Sequence, residues 1–282
     1  MKLLLSLLKI VRINNALIAG CAVLLGYWLS RSDLPSISLL LLFCTALVST
    51  GFGNVINDIR DIVSDEISHP NRPLPRGDIS LPCAWIYCMF LAIASIVFSF
   101  SISFTHGVAT LLPLIILTLY SFFLKGIPLI GNIVVASLVA YSILFGAINA
   151  DGFGTLIIPA ILAFLLNLSR EIIKDIQDED GDRAIQVFTS AKLPLSLLKT
   201  LIYSSSLLYI CLLFLPALRG DFGIVYIIVC SILIFPIHLF RLFQIRSSTW
   251  KIRLSRISFL YKIEMICGLL SLAADKLFIF VK

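Results

Sequence analysis

Long uncharged apolar stretches separated by short charged segments set the pattern of this chain. A helix that crosses a bilayer needs about 20 predominantly apolar residues, so the interval between successive charged side chains measures out the spans. Such intervals run from Ile13 to Ser30, Leu34 to Ile56, Ile79 to Leu124, Gly126 to Ala150, Gly152 to Ser169, Thr200 to Leu218 and Phe222 to Phe240. The third is long enough for two helices, and Ser103 to Gly107 is its expected turn, because Thr105, His106 and Gly107 interrupt the apolar run. A further span is expected from Ser258 to Val281, although Lys262, Glu264, Asp275 and Lys276 lie inside it. The pattern predicts an all-α, polytopic integral membrane protein of about nine transmembrane helices, forming one domain over residues 1–282.

Composition agrees. The chain is 59% hydrophobic and 13% charged, against roughly 45–50% and about 25% in an ordinary soluble domain. Its net charge of +6 is explained by placement. With the N-terminus inside, eighteen Lys and Arg fall on the cytoplasmic side, and Arg31, Arg219, Lys276 and Lys282 on the other. This asymmetry accounts for the basic balance without a nucleic-acid partner. The stretch from Arg241 to Arg256 is expected at anionic lipid headgroups. Seven scattered cysteines have no metal-ligand spacing and read as small hydrophobes. Leu3 to Leu8 is too short for a cleavable leader. The chain has no phosphate-binding glycine loop, and His69, His106 and His238 form no catalytic triad pattern; His69 is expected as a solvated loop residue.

The acids are concentrated. Eleven of sixteen fall in two segments expected as loops, about 54–78 and 170–194, which the charge argument places at the cytoplasmic face. Asp58, Asp61 and Asp65 have the spacing D-x2-D-x3-D, and Asp175, Asp178 and Asp182 repeat it 117 residues later. Positions three, four and seven apart share a helical face, so each set converges if its helix continues through it. Gly181 is expected to end the second helix locally. A single acidic loop is ordinarily a solvated face. Two copies with matched spacing repel internally unless a cation compensates them. Incomplete oxygen-ligand sets suit Mg2+, which bridges to substrate phosphates, and a diphosphate is the natural anion. Asn57 and Asn54 add neutral oxygens one and two turns before Asp61. Arg72 and Arg76 lie on the proline-stiffened loop Asn71–Gly77, and Arg12, Lys125, Arg170, Lys174 and Arg183 are expected at the same depth, as diphosphate-binding bases.

The two segments carry a resemblance. Asn57–Asp65 followed by Asn71-Arg72-Pro73-Leu74-Pro75-Arg76-Gly77 resembles the first aspartate-rich motif of the UbiA superfamily of membrane prenyltransferases, and Arg170–Arg183 resembles the second. Tyr120–Lys125 and Pro128–Asn132 are similar to the family's segment between the fourth and fifth helices. The resemblance implies a UbiA-type helical bundle that transfers a prenyl group from an isoprenoid diphosphate to a lipid-phase acceptor, with Mg2+ as cofactor and no protein partner. It maps metal ligation onto Asn57, Asp61, Asp65, Asp178 and Asp182, with Asp58 and Asp175 as acids that tune or orient them. The string Arg170–Asp175 leading into Asp178 and Asp182 is similar to the branch that prenylates geranylgeranylglyceryl phosphate. Branches with homogentisate or chlorophyllide as acceptor have related loops, and a secondary transporter is the rival from another class.

Overall fold

The computed structural model describes residues 2–30, 35–184, 188–247 and 249–281. Arg31 and Lys282, two of the four bases assigned to the far face, lie outside them. Among the described residues every regular element is helical.

Helices α1 (Lys2–Ile10) and α2 (Ile13–Leu29) meet at a bend of 53°. The bend is made by Arg12, whose φ of 51° and ψ of 59° put it in the left-handed region. Helix α3 (Ser36–Arg60) is followed by the short α4 (Ile62–Ser68). Next come α5 (Leu81–Ile102) and α6 (Phe104–Leu124). Ser103 separates them in extended conformation, and its side chain accepts from the His106 N–H to cap α6. The expected turn is thus a one-residue break. Helix α7 (Ile130–Phe145) leads to α8 (Ile157–Gln177) and the short α9 (Glu179–Ala184). Helices α10 (Leu195–Leu218), α11 (Ile224–Arg246) and α12 (Leu254–Val281) complete the bundle.

Each of the nine expected stretches holds a helix. Seven helices among the described residues have the length and apolarity to cross a membrane, and the bent α1–α2 pair counts as an eighth if taken as one span. Helix α7, with 16 residues, is about 24 Å long, short of a hydrocarbon core of about 30 Å. The molecule is therefore an integral membrane bundle with seven or eight helices of full spanning length and apolarity among the described residues, against the nine spans expected. Half of the apolar window of α3 and of α8 is buried, against 22–33% for the other spanning helices, so these two are the inner helices. Both carry an aspartate motif at their C-terminal end. On the outside, Ile86, Met89, Phe90, Ile93 and Val97 of α5 form an exposed apolar stripe, as lipid contact requires. Inside, α2 and α7 touch backbone to backbone: a Cβ on Gly26 would stand 2.0 Å from the Ile143 carbonyl oxygen, and one on Gly146 1.9 Å from that of Val23. Small residues permit this approach where lipid gives helices no hydrophobic incentive to associate.

The charges inside α12 are partnered with one exception. Glu264 accepts from Arg241 Nε at 3.0 Å and bonds His238 Nδ1, all three side chains being fully buried. The Arg241 guanidinium lies 3.7 Å from the Tyr261 ring centroid, and Tyr209 stacks on His238. Arg241 is therefore not at the headgroups, contrary to expectation; a buried carboxylate 23 residues away in sequence holds it inside the bundle. Asp275 accepts from the Gly223 and Tyr226 N–H groups at 2.8 and 3.1 Å, satisfying the first turn of α11. Lys262 is the exception.

Candidate active site

The sequence repeat is a structural repeat. Helix α3 breaks at Asp61, with φ −91° and ψ 5°, and α8 breaks at Asp178, with φ −94° and ψ 3°. In each copy the middle aspartate is the break, the first lies near the end of the long helix and the last lies on a short helix. The acids thus sit on helix ends and short helices, not in loops as expected. Backbone bonding continues through each break: Asp65 N–H donates to Asp61 O, and Asp182 N–H to Asp178 O. Nor does Gly181 end a helix. It lies within α9, which packs on α4, and a Cβ there would fall 2.0 Å from Ser68 Oγ and 2.8 Å from the Ser64 carbonyl oxygen. Its absent side chain lets the two short helices meet, and Ser64 Oγ donates to Asp182 Oδ1 at 3.3 Å across the junction.

Most of the expected bases converge on these acids. Asp58, Asp61, Asp65 and Asp182 are buried. Arg12 donates to Asp58 and, at 3.1 Å, to Asn54 Oδ1, while Asn54 Nδ2 donates to Val11 O at 2.9 Å; the left-handed turn at Arg12 is thereby tied to α3. Arg72 holds both oxygens of Asp65 and lies 3.6 Å from Asp58. Lys125, just past a wide last turn of α6, donates to Asp61. Asn57 Nδ2 donates to Asp61 at 2.6 Å, which leaves Asn57 Oδ1 buried with no protein partner. Arg170 and Lys174 both bond Glu171, at 2.9 and 2.8 Å. Asp175 accepts from Asn132 Nδ2 at 2.9 Å and Ser190 N–H at 3.1 Å, fastening the segment after α9 to α7.

Two expected bases lie elsewhere. Arg76 is about half exposed and pairs with Asp78 at 3.5 Å, and Arg183 is 70% exposed and pairs with Glu179. Neither lines the cavity described below. His69 corrects the expectation of a solvated residue: its Nε2 is 2.9 Å from Asp178 Oδ1, joining the first motif to the second. His69, Glu171 and Ser64 have no periodic signal that marks them, whereas Asn132 and Tyr120 stand in the segments whose resemblance was noted.

Electrostatics follow from this crowding. Burial raises Asp65 above the usual carboxylate range, outweighing Arg72, and the neighbouring Asp61 adds to the rise. Burial likewise raises Asp182 against the pull of Lys125, with Asp178 and Asp61 adding to it. Burial would also raise Asp178, but the His69 hydrogen bond and the charges of Lys174, His69 and Arg72 outweigh it and leave Asp178 below its ordinary value. Among the described residues, no three His, Cys, Asp or Glu groups close on a point tightly enough to cage an ion by themselves. The donor set still fits Mg2+: an orphaned amide oxygen among partly uncompensated carboxylates supplies some ligands and leaves the rest to water and phosphate.

This acidic pocket opens into a larger cavity of about 540 Å³. Its polar mouth includes Arg12, Asn57, Arg72, Arg170, Lys174 and Asp178, and its depth is apolar, with Leu138, Ile143, Phe145, Leu162 and Leu166 in the wall. The carboxylates lie at the ends of α3 and α8, not at mid-span where transporter ion sites lie.

Fold and site together define a helical membrane protein with a two-motif acidic centre at the mouth of an intramembrane apolar chamber. The chain belongs to the UbiA prenyltransferase family, whose model matches residues 19–263. It is similar to the digeranylgeranylglyceryl phosphate synthase of Thermococcus sibiricus, with 39% identity over 178 residues, 63% of this chain and 64% of that one. It is 38% identical to the synthase of Methanoculleus marisnigri over 181 residues, 64% of each chain. The alignments thus span a little under two thirds of these curated relatives. A solved structure of a digeranylgeranylglyceryl phosphate synthase superposes with a TM-score of 0.77 at 28% identity, covering 98% of this chain and 99% of that one. A UbiA homologue from Archaeoglobus fulgidus, solved with GPP and Mg2+, shares the fold at 19% identity and a TM-score of 0.64, over 95% of this chain and 99% of that one.

Proposed function

We propose that this chain, as one domain, moves a geranylgeranyl group from geranylgeranyl diphosphate to geranylgeranylglyceryl phosphate with Mg2+ as cofactor, giving an ether-lipid precursor. The observation that carries the reading is the partnerless Asn57 Oδ1, buried beside two acidic motifs at the mouth of an apolar chamber. The names of the curated relatives support the acceptor. The GPP and Mg2+ held by the Archaeoglobus fulgidus homologue support the donor class and the metal. The distribution of Lys and Arg supports a cytoplasmic N-terminus and a cytoplasmic site.

Asn57, Asp61, Asp65, Asp178 and Asp182 are the residues that would hold the metal, which when bound supplies positive charge against the departing diphosphate. Arg72 and Lys125, engaged with Asp65 and Asp61, exchange these carboxylates for diphosphate oxygens as the substrate enters. Arg12 stays bonded to Asp58 and fixes the rim. Asp58 and Asp175 orient the ligand set, one through Arg12 and Arg72, the other through Asn132 and Ser190. These preorganised cations favour rupture of the allylic C–O bond. The apolar wall then keeps water from the allylic cation until the acceptor hydroxyl oxygen attacks, its proton passing to a motif carboxylate not committed to the metal.

The test uses purified protein with Mg2+ and geranylgeranyl diphosphate, and follows diphosphate release and product mass with the glyceryl phosphate ether, homogentisate and chlorophyllide as acceptors. The ether product is expected, with Asp61→Ala and Asp178→Ala both inactive. Unchanged turnover in both variants removes the site; product from another acceptor alone removes the acceptor assignment.

A further inference from the structure

Helix α12 presents one stripe to the cavity: Ser258, Lys262, Met265, Leu269 and Leu272 line it at steps of four, three, four and three. The stripe carries a single charge. Of the acids and Lys262 within the helix, Glu264 and Asp275 turn away to buried partners, while Lys262 faces the cavity. Around it stand Arg170, Lys174 and Arg12, with Glu171 as the opposing carboxylate. Arg12 is already matched by Asp58. Glu171 bonds both Arg170 and Lys174. Asp178, which also faces this cavity and draws on Lys174, is assigned to the metal. Lys262, Arg170 and Lys174 against Glu171 therefore leave two positive charges on this wall once the metal holds Asp178. The wall extends beyond the carboxylate pocket: Arg12, Glu171 and Lys174 line both cavities, whereas Arg170 and Lys262 line only the large one.

A cation in an apolar span is costly unless it faces a polar cavity or an anion. A phosphate monoester carries about −1.5 to −2 charge at pH 7, which matches the unbalanced charge here better than a monocarboxylate or a phosphodiester does. Below Lys262 the same stripe turns to Met265, Leu269 and Leu272, which suit an alkyl chain. We propose that Lys262, with Arg170 and Lys174, binds the phosphate monoester head of the acceptor lipid, while the Met265–Leu272 stripe lies along its tail. This rests on the prenyl-transfer reading above. It moves Arg170 and Lys174 from the donor diphosphate to the acceptor.

The full-length protein in nanodiscs is assayed with geranylgeranyl diphosphate, Mg2+ and three acceptors: geranylgeranylglyceryl phosphate, its dephosphorylated alcohol, and the methyl phosphodiester. Lys262→Met is expected to raise the acceptor KM about tenfold or more, the scale of a lost charged hydrogen bond, with donor KM changing far less. Its preference for the monoester over the alcohol shrinks by the same factor, and Lys262→Arg restores most of it. A Lys262→Met enzyme with the wild-type preference, or a loss falling on donor KM, overturns the proposal. So does a wild-type enzyme that treats monoester and alcohol alike, which needs no variant. Failure of the wild type to prenylate any acceptor while binding donor and Mg2+ marks failure of the parent reading instead.

Discussion

Gly181→Ala is the sharpest perturbation of the site, because it adds one methyl group and removes no ligand. The new Cβ would lie 2.0 Å from Ser68 Oγ, 3.0 Å from Ser64 Oγ and 2.8 Å from the Ser64 carbonyl oxygen. The Ser68 hydroxyl can rotate away, but the Ser64 carbonyl is backbone. Restoring an ordinary contact of 3.4 Å there separates α4 from α9 by about 0.6 Å, and overpacking of this kind costs about 1–3 kcal/mol. The separation also lengthens the 3.3 Å bond from Ser64 to Asp182 and parts Asp65 from Asp182 across the proposed metal site. Misplacement of reacting groups by about 1 Å costs about a hundredfold, so a shift of a little over half of that predicts a loss of about tenfold in diphosphate release. The assay is Mg2+-dependent diphosphate release, with Gly154→Ala as control, since a Cβ there meets nothing within 4 Å. Adding Ser68→Ala to Gly181→Ala should recover only part of the loss, because the carbonyl contact remains. Wild-type turnover and Mg2+ dependence in Gly181→Ala would refute the reasoning.

Other outcomes follow from the same geometry. Asp65 and Asp182 are held above the usual carboxylate range, so Mg2+ must displace protons and its affinity should rise as pH climbs past that range. Asp178, held low, adds nothing to this rise; titration of Mg2+-induced thermal stabilisation against pH checks it, and a flat profile contradicts it. Glu264→Ala strands Arg241 and His238 in the bundle interior and should cost about 3–5 kcal/mol, read as a lowered unfolding midpoint in detergent, with Glu264→Gln milder. Gly146→Leu drives α2 and α7 apart and should reduce folded yield sharply, whereas Gly268→Leu, facing open space, should not. His69→Ala removes the link to Asp178 and should raise the Mg2+ concentration needed for half-maximal rate; an unchanged requirement would show that the link does not position the metal site.

What was legible in the sequence was whatever depends on local periodicity. Uncharged intervals located the helices, and the polar Thr105-His106-Gly107 located the α5–α6 break to within a few residues. The D-x2-D-x3-D repeat located the acids, because a repeated spacing survives without knowledge of the fold. What was hidden depends on partners distant in sequence. Arg241 looked like a headgroup contact because Glu264 sits on the next helix, and His69 looked solvated because Asp178 is 109 residues away. Gly181 looked like a helix end, since only the packed structure shows what a Cβ would strike. Arg76 and Arg183 share a loop or helix with residues that line the cavity, but each is paired with a partly buried acidic neighbour that holds it away from the cavity.

The matched breaks at Asp61 and Asp178 bear on how such a chain is made. The bonds that join the motifs, Ser64 to Asp182 and His69 to Asp178, span 118 and 109 residues. They close only after most of the helices have entered the bilayer, and closure of so long a loop has a substantial entropic cost. Until then the first motif must survive alone. It is equipped to do so: Arg12 and Arg72, both synthesised with the first half, already neutralise Asp58 and Asp65. Glu171 is met in the same way by Arg170 and Lys174. The first half therefore arrives largely charge-balanced, and an insertion intermediate of four or five helices need not carry a naked acidic cluster into the membrane while it waits for the rest of the chain.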